Sequence, residues 1–93
     1  MIHSFRCKHT QALFERGTCH PRWRSFQKVA ERKLTMLEAA RTLTDLKVPP
    51  NNKLETLKGD RAGRHSIRVN DQYRLCFVWT ADGATEVELV DYH

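Results

Sequence analysis

The chain has 93 residues, of which 40% are hydrophobic, and it contains no long apolar run. This length is enough for one domain with one modest core (residues 1–93), and the missing apolar run excludes a membrane-spanning helix. The formal net charge of +5 favours a polyanionic partner, and three widely spaced cysteines argue against a framework of disulfide bonds.

The first twenty residues predict only short elements. The opening sequence, MIHSFRCKHT, lacks the apolar centre of a signal peptide, which indicates a cytoplasmic protein. Ile2 to Arg6 is a candidate strand in which Ile2 and Phe5 are the buried residues. Thr10 is suited to cap a brief helix at its start, and Gly17 is placed to end it.

The strongest helical pattern follows Pro21, which suits a first helical position because proline has no amide proton to leave unbonded. Residues at helical spacing mark one face of this helix, and they are Phe26, Val29, Ala30, Lys33, Leu34, Leu37 and Ala40. Lys33 interrupts this apolar stripe, and its aliphatic stem can lie along the edge of the buried face. Leu43 and Leu46 predict one further turn of the same helix, which Pro49-Pro50 must end.

Residues 53–79 predict a cationic loop followed by a β-hairpin. Strand alternation places His65, Ile67 and Val69 on one face of the first strand, with Arg64, Ser66 and Arg68 on the other. The second strand places Tyr73, Leu75, Phe77 and Trp79 on the apolar face, with Arg74, Cys76 and Val78 opposite. Asn70 and Asp71 tolerate the left-handed backbone that a short hairpin needs. The side that carries Arg64, Arg68 and Arg74 is here called the arginine face, and it is expected to be open to solvent. On the opposite, apolar face, His65 is expected to be a hydrogen-bonded core histidine.

A third strand is predicted from Thr85 to about Val90, after the turn signal at Ala81-Asp82-Gly83. It continues the arginine face with Glu86, Glu88, Val90 and then Tyr92. The two glutamates are expected to counter the arginines or to keep the strand soluble. Helices thus precede a run of antiparallel strands. The predicted class is α+β, with an N-terminal strand and helices packed on one face of a small, mainly antiparallel sheet.

The arginine face, together with the chain end Asp91-Tyr92-His93, which strand parity is taken to place beside it, is also the predicted site. Basic residues concentrate in segments 20–41 and 53–74, whereas residues 75–93 carry four acidic and no basic side chains. This segregation favours nucleic acid as the partner, with an acidic protein as the second possibility. Guanidinium groups can bind a phosphate, an aromatic ring can stack on a base, and a histidine or carboxylate can move a proton. Such a set suits the cleavage of RNA.

The segment LKGDRAGRHSIRVNDQYRLCFVW, with the chain end VDYH, closely resembles the HigB branch of the RelE/ParE toxin superfamily. These proteins are toxins of type II toxin–antitoxin pairs, and the resemblance covers essentially the whole chain. It implies a RelE-like fold and a ribosome-dependent endoribonuclease (an mRNA interferase). Such an enzyme cuts mRNA in the ribosomal A site through attack by the ribose 2′-hydroxyl, without a metal or cofactor.

The resemblance also implies roles for individual residues. Arg74 holds the scissile phosphate, Lys58 supports it, Tyr92 orients a base, and His93 or Asp91 transfers the proton. Further RNA contacts are expected from Arg61, Arg64, Arg68 and Glu55. Some relatives carry a histidine where Glu55 stands, so the acid and base roles stay open.

Two other functions remain open at this point. One is a non-enzymatic inhibitor of DNA gyrase, as in ParE-type members, and the other is a nucleic-acid-binding module. The expected partners are the ribosome with its mRNA and a HigA-type helix-turn-helix antitoxin, with promoter DNA bound only through the antitoxin complex. Cys7, His9, Cys19 and His20 have the residue types of a zinc site but no familiar spacing, so no metal is predicted.

Overall fold

Residues 1–92 are described by a computed structural model, and they form two α-helices and one four-stranded sheet. The elements are α1 (Lys8–Arg16), α2 (Gln27–Ala39), β1 (Glu55–Thr56), β2 (His65–Arg68), β3 (Tyr73–Thr80) and β4 (Gly83–Asp91). All strand pairs are antiparallel, in the order β1-β2-β3-β4. The α+β class is confirmed, whereas β1 lies in a segment that was predicted to be a loop.

Both helices pack on one face of the sheet. Leu13 of α1 and Leu34 of α2 belong to the same buried cluster as Ile67, Leu75 and Phe77 of the sheet, and none of the five is more than 1% exposed. Because apolar burial drives folding, the alternation of these residues decides which face of the sheet the helices cover. Within the described chain, no helix has the length and apolar character needed to cross a membrane.

The N-terminal segment runs parallel to β4 without forming a full strand. Ile2 bridges Ala84 and Phe5 bridges Val87, and both bridges are isolated. The predicted strand is therefore reduced to two contact points. Gly83 is required beside them, because its φ is +130° and a Cβ there would clash with the Met1 carbonyl oxygen.

Thr10 does not cap α1, because the helix begins at Lys8 and Thr10 lies within it. Its hydroxyl oxygen instead accepts a hydrogen bond of 3.0 Å from the backbone N–H of Leu89. β4 is an outer strand of the sheet, so this N–H needs a partner from outside the sheet. The prediction for Gly17 is confirmed, since it ends the helix with a left-handed φ of 71° and donates to the Leu13 carbonyl.

Pro21 does begin a helical segment, but residues Pro21–Phe26 form a 3₁₀ helix that leads into α2. The further turn predicted for α2 is wrong. The helix ends at Ala39, and a separate 3₁₀ helix covers Leu43–Lys47. This second segment starts with a capping box in which Thr42 and Asp45 bond each other's backbone N–H groups. The cap gives the backbone an alternative to continuing the first helix.

Asp45 offers a pH-dependent test of this capping box. Backbone hydrogen bonds from Arg41 and Thr42 hold the pKa of its carboxyl below the ordinary value of 3.8. The stabilisation is therefore complete above 3.8 and is lost as the pH falls below 3.8 through the folded-state value. We expect Asp45→Asn to lower the melting temperature at neutral pH, and the difference to shrink in acid. Thermal denaturation across this range measures it, and a pH-independent difference contradicts the role of the charge.

The hairpin between β2 and β3 is confirmed, with Arg68 opposite Arg74 and Ser66 opposite Cys76. The left-handed backbone predicted for its turn is wrong, because neither Asn70 nor Asp71 has a positive φ. The Asn70 side-chain oxygen instead accepts hydrogen bonds from the N–H groups of Gln72 and Tyr73, at 2.8 and 2.7 Å. The turn is stabilised by this side chain rather than by left-handed geometry.

A β-bulge interrupts the antiparallel pairing of β4 with β3. The pairing changes from Cys76 with Glu88 to Val78 with Thr85, so the single residue Phe77 faces two residues of β4. One of the two, Glu86, adopts a left-handed φ of 51°. The bulge shifts the alternation of β4 by one residue, so Ala84 and Val87, three positions apart, are both buried in the core. Glu88 pairs with Cys76 on the arginine face.

His65 occupies the predicted apolar face, where its ring stacks on that of Phe77 with centroids 6.2 Å apart. Its buried Nδ1 has no hydrogen-bond partner within residues 1–92. The prediction of a hydrogen-bonded core histidine is therefore wrong for this atom, and ring stacking provides the contact that the structure describes.

Candidate functional site

The arginine face carries an open cavity of about 260 Å³ beside the start of β3 and the end of β4. Three cations, two carboxylates, one amide and one phenol line it: Lys53, Arg68, Arg74, Glu55, Asp71, Asn70 and Tyr92. Because the cations outnumber the carboxylates, the cavity suits an anionic group. Four of the predicted site residues meet here, namely Glu55, Arg68, Arg74 and Tyr92.

Arg74 is held in one orientation by partners on two sides. Its Nε donates to the Ser66 hydroxyl at 2.7 Å, and its Nη2 donates to the Lys53 carbonyl at 2.5 Å and more weakly to the Ser66 carbonyl at 3.4 Å. Its Nη1 lies 3.5 Å from a carboxylate oxygen of Glu55. The guanidinium therefore uses Nε and Nη2 for its own placement and leaves Nη1 in the weakest of these contacts.

The arginine face is less open than predicted. Arg74 and Arg64 are each only 8% exposed. Arg74 is covered by the segment that contains Lys53 and Glu55, and Arg64 by its bonds to Glu86. A buried guanidinium must be paired or hydrogen-bonded, and both of these are. Arg68 is half-buried and forms a 2.5 Å ion pair with Asp71.

A second charged cluster on this face lies outside the cavity lining. Arg64 bonds the Glu86 carboxylate at 2.7 Å, while Arg61 and Arg6 lie 3.5 and 3.8 Å from Glu88. The prediction that Glu86 and Glu88 counter the arginines is confirmed. Arg61 and Arg64, predicted as RNA contacts, are thus engaged by carboxylates away from Arg74.

The remaining predicted residues do not meet at the cavity. Lys58 is exposed in the loop between β1 and β2 and is absent from the cavity lining. Asp91 pairs with Tyr73, on the helix side of the sheet, and accepts a hydrogen bond of 3.0 Å from the Gln72 amide. The prediction that Asp91 shares the arginine face is therefore wrong, because strand alternation separates it from Tyr92. His93 lies outside the described residues.

Asp91 contributes instead to a different cavity, of about 210 Å³, on the helix side. Its other lining residues are His9, His20, Arg22, Trp23, Tyr73 and Leu89. The rings of His9 and His20 lie 4.8 Å apart there. The described residues contain no group of three or more His, Cys, Asp or Glu side chains placed to hold a metal ion.

Sequence reasoning missed two partners of Arg74. Ser66 was placed on the correct face by alternation, and this was a usable signal for its hydrogen bond to Arg74. Lys53 contributes a backbone carbonyl, and no pattern of side chains in the sequence predicts such a contact. Cys76 lies beside this network, and burial raises the pKa of its thiol, so it stays protonated at neutral pH.

A family model described as "RelE-like toxin of type II toxin-antitoxin system HigB" matches residues 3–93. The chain belongs to the HigB-like toxin family. The match spans both helices and the complete sheet, so the resemblance inferred from the L-K-G-D segment and the chain end is confirmed. As a type II toxin, this HigB-like protein has a cognate antitoxin as its partner.

The chain is also similar to three individual proteins, the first of which is itself a HigB toxin. The chain is 45% identical over 69 residues to Toxin HigB-1 of Vibrio cholerae serotype O1, covering 74% of this chain and 72% of the relative. It is 39% identical over 74 residues to an uncharacterized protein of Haemophilus influenzae, covering 78% and 73%. A solved structure, a YoeB/ParE toxin from Agrobacterium tumefaciens, is 25% identical with a TM-score of 0.48, covering 76% of this chain and 83% of the other.

Proposed function

We propose that this HigB-like toxin is a ribosome-dependent endoribonuclease that cuts mRNA in the ribosomal A site. The observation that carries the proposal is the cavity in which Arg74 is held by Ser66 and Lys53 while Tyr92 lies beside it. A fixed guanidinium next to an exposed aromatic ring matches the two parts of a nucleotide, its phosphate and its base.

Arg74 is the group we assign to the scissile phosphate. Its Nη1 contacts Glu55 at 3.5 Å, and the Glu55 side chain is 53% exposed. An ion pair this long and this exposed is weak, so a phosphate oxygen can replace the carboxylate. The guanidinium need not reorient to do so, because its other nitrogen atoms are already bonded, and such preorganisation favours stabilisation of the transition state.

Tyr92 is the group we assign to a base. Tyr92 is 39% exposed, more than any aromatic residue of the described core. Its backbone N–H donates to the Gln72 carbonyl at 2.6 Å, which fixes the residue at the rim of the cavity. An exposed ring on a fixed backbone provides a stacking surface for an unpaired base.

The reaction we propose is attack of the ribose 2′-oxygen on the adjacent phosphorus. The 2′-proton passes to a base, the bond from phosphorus to the 5′-oxygen breaks, and that oxygen takes a proton from an acid. The products are a 2′,3′-cyclic phosphate and a free 5′-hydroxyl. Glu55 lines the cavity, so we propose Glu55 and His93 for the proton transfers; the position of Asp91 on the other face favours a supporting role for it.

The other basic residues are proposed to bind RNA outside the cavity. Lys58 is exposed on the loop that precedes β2, and Arg61 is 37% exposed despite its ion pair. Both can contact the backbone of mRNA or ribosomal RNA beside the cleavage site. Arg68 reaches the cavity itself, and Arg64 is proposed mainly to order Glu86 and the bulge.

Cleavage-site mapping on a defined mRNA, with and without translating ribosomes, tests the proposed function. We expect cuts in phase with codons that appear only when ribosomes are present. A toxic protein that produces no cuts, but blocks supercoiling by purified DNA gyrase, contradicts the proposal and supports a ParE-like inhibitor. Cuts on free RNA support the proposed cleavage reaction but contradict the requirement for the ribosome.

A further inference from the structure

We propose that Lys33 and Asn52 are positioning residues for Arg74, connected to it through the backbone carbonyl of Lys53. The inference rests on the proposed role of Arg74 in cleavage, and it adds two residues that do not line the cavity. Three contacts carry it, from Lys33 to Asn52, from Asn52 to the backbone around it, and from Lys53 to Arg74.

The first contact involves a buried charge on α2. Lys33 is 7% exposed, and its Nζ donates to the Asn52 side-chain oxygen at 2.5 Å. Burial lowers the pKa of this lysine, and the positive charges of Arg32 and Arg68 lower it further. A methionine or leucine at this position would complete the apolar stripe without that cost, so packing alone does not account for a lysine here.

The second contact is made by a fully buried amide. Asn52 is 0% exposed, and its Nδ2 donates to the carbonyls of Leu46 and Val48, at 3.1 and 3.3 Å. The amide oxygen is taken by Lys33, so both ends of this side chain are bonded. Asn52 thereby connects α2 to the segment that leads into β1.

The third contact comes from the next residue. Lys53 has a left-handed backbone, with φ 45° and ψ 57°. This conformation is unfavourable for a residue with a side chain and persists where the surroundings enforce it. Its N–H donates to the Pro50 carbonyl at 3.1 Å, and its carbonyl accepts from Nη2 of Arg74 at 2.5 Å. The left-handed turn therefore points the carbonyl at the guanidinium.

Removal of the Lys33 ammonium leaves the Asn52 oxygen without its donor and loosens the turn at Lys53. Arg74 then keeps its bond to Ser66 but loses a fixed partner for Nη2. In metal sites, mutation of the partners that orient a ligand changes affinity or activity about 10- to 100-fold. We take the lower end of this range here, because Lys33 acts through Asn52 and the Lys53 carbonyl. We therefore expect Lys33→Met to slow cleavage about tenfold, with the loss in kcat rather than in ribosome binding.

The experiment compares Lys33→Met with Lys47→Met, the same substitution at an exposed lysine outside the site. Single-turnover cleavage on programmed ribosomes, ribosome binding and melting temperature are measured for each. Lys33→Met should be slow while it stays folded, Lys47→Met should match the wild type, and Lys33→Arg, which retains a donor for Asn52, should recover part of the rate. A folded Lys33→Met protein that cleaves at the wild-type rate overturns the proposal.

Asn52→Leu and the double variant Lys33→Met/Asn52→Leu test whether the two residues act together. If both act through the Lys53 carbonyl, the double variant is no slower than the slower single variant. If the rate losses of the two single variants multiply in the double variant, the two residues act independently, and the proposed connection through the Lys53 carbonyl is contradicted.

A readout without catalysis separates this inference from the proposed function. The Nη–H signals of Arg74 in ¹⁵N NMR, which report the bond to the Lys53 carbonyl, should exchange faster in Lys33→Met than in the wild type or Lys47→Met. An unchanged Arg74 signal in folded Lys33→Met overturns the positioning role, whether or not the toxin cuts RNA. Absence of cleavage by the wild type, together with a changed signal, rejects the nuclease function and keeps the structural connection.

Discussion

Arg74→Ala is expected to abolish growth arrest and to lower mRNA cleavage about 10²- to 10³-fold, the effect of removing one preorganised donor from a developing negative charge. The guanidinium is the cavity group that is both buried and held by three partners, namely Ser66, Lys53 and Glu55. Arg68, a neighbouring cation of the cavity, does not readily take over its position, because it is paired with Asp71. Cleavage of a defined mRNA on ribosomes measures the loss.

Two further variants make the result for Arg74 interpretable. Arg16→Ala removes the same charge from an exposed position at the end of α1, and it should leave cleavage unchanged. Arg74→Lys keeps the charge but loses the planar set of donors, so it should remain strongly impaired. A folded Arg74→Ala protein that still cuts mRNA at codon boundaries shows that the phosphate lies elsewhere. Binding of the antitoxin and the melting temperature report whether each variant is folded.

Tyr92→Ala is expected to give the second largest loss. Stacking of a base on an aromatic side chain contributes about 1–3 kcal/mol, and truncation to alanine removes it. Tyr92→Phe retains the ring and the backbone bond to Gln72, so it should keep most of the activity. Cleavage rates of the two variants, measured at saturating ribosome concentration, separate the contribution of the ring from that of the hydroxyl.

The comparison of these variants also tests the assignment of Tyr92 to a base rather than to the protein itself. If the ring mainly covers the edge of the sheet, Tyr92→Ala lowers the melting temperature and leaves the rate of the folded fraction unchanged. If the phenylalanine variant is as slow as the alanine variant, the hydroxyl contributes to the reaction directly. A full rate in both variants contradicts any role of Tyr92 in cleavage.

Much of the sheet could be predicted because strand alternation is a local property. A side-chain period of two placed Ser66, Arg68 and Arg74 on one face and Ile67 and Phe77 on the other, and each lies where it was predicted. The helix stop at Gly17 was equally local, since it depends on a backbone conformation that glycine adopts readily. Tyr92 reached the cavity by the same alternation.

Asp91 shows what a short sequence motif can hide. It was grouped with Tyr92 and His93 because the parity of Tyr92 was extended to the whole chain end, and the resemblance also treats the three as a unit. Alternation, however, puts neighbouring strand residues on opposite faces. The structure follows the alternation, and Asp91 lies on the helix side beside Tyr73. Strand alternation, applied to each residue of the chain end in turn, was sufficient to separate Asp91 from Tyr92.

By itself, the sequence determined the α+β class, the hairpin, the side of the sheet that carries Arg74, and the family. Only the tertiary structure decided that Arg74 is buried, that the Lys53 carbonyl orients it, and that Lys33 reaches Asn52, nineteen residues further along the chain. Periodicity follows from the geometry of a single helix or strand, so it can be read locally. The Lys33–Asn52 and Lys53–Arg74 contacts depend on the path of residues 40–54 between α2 and β1, which is set by long-range hydrogen bonds and packing that no local pattern contains.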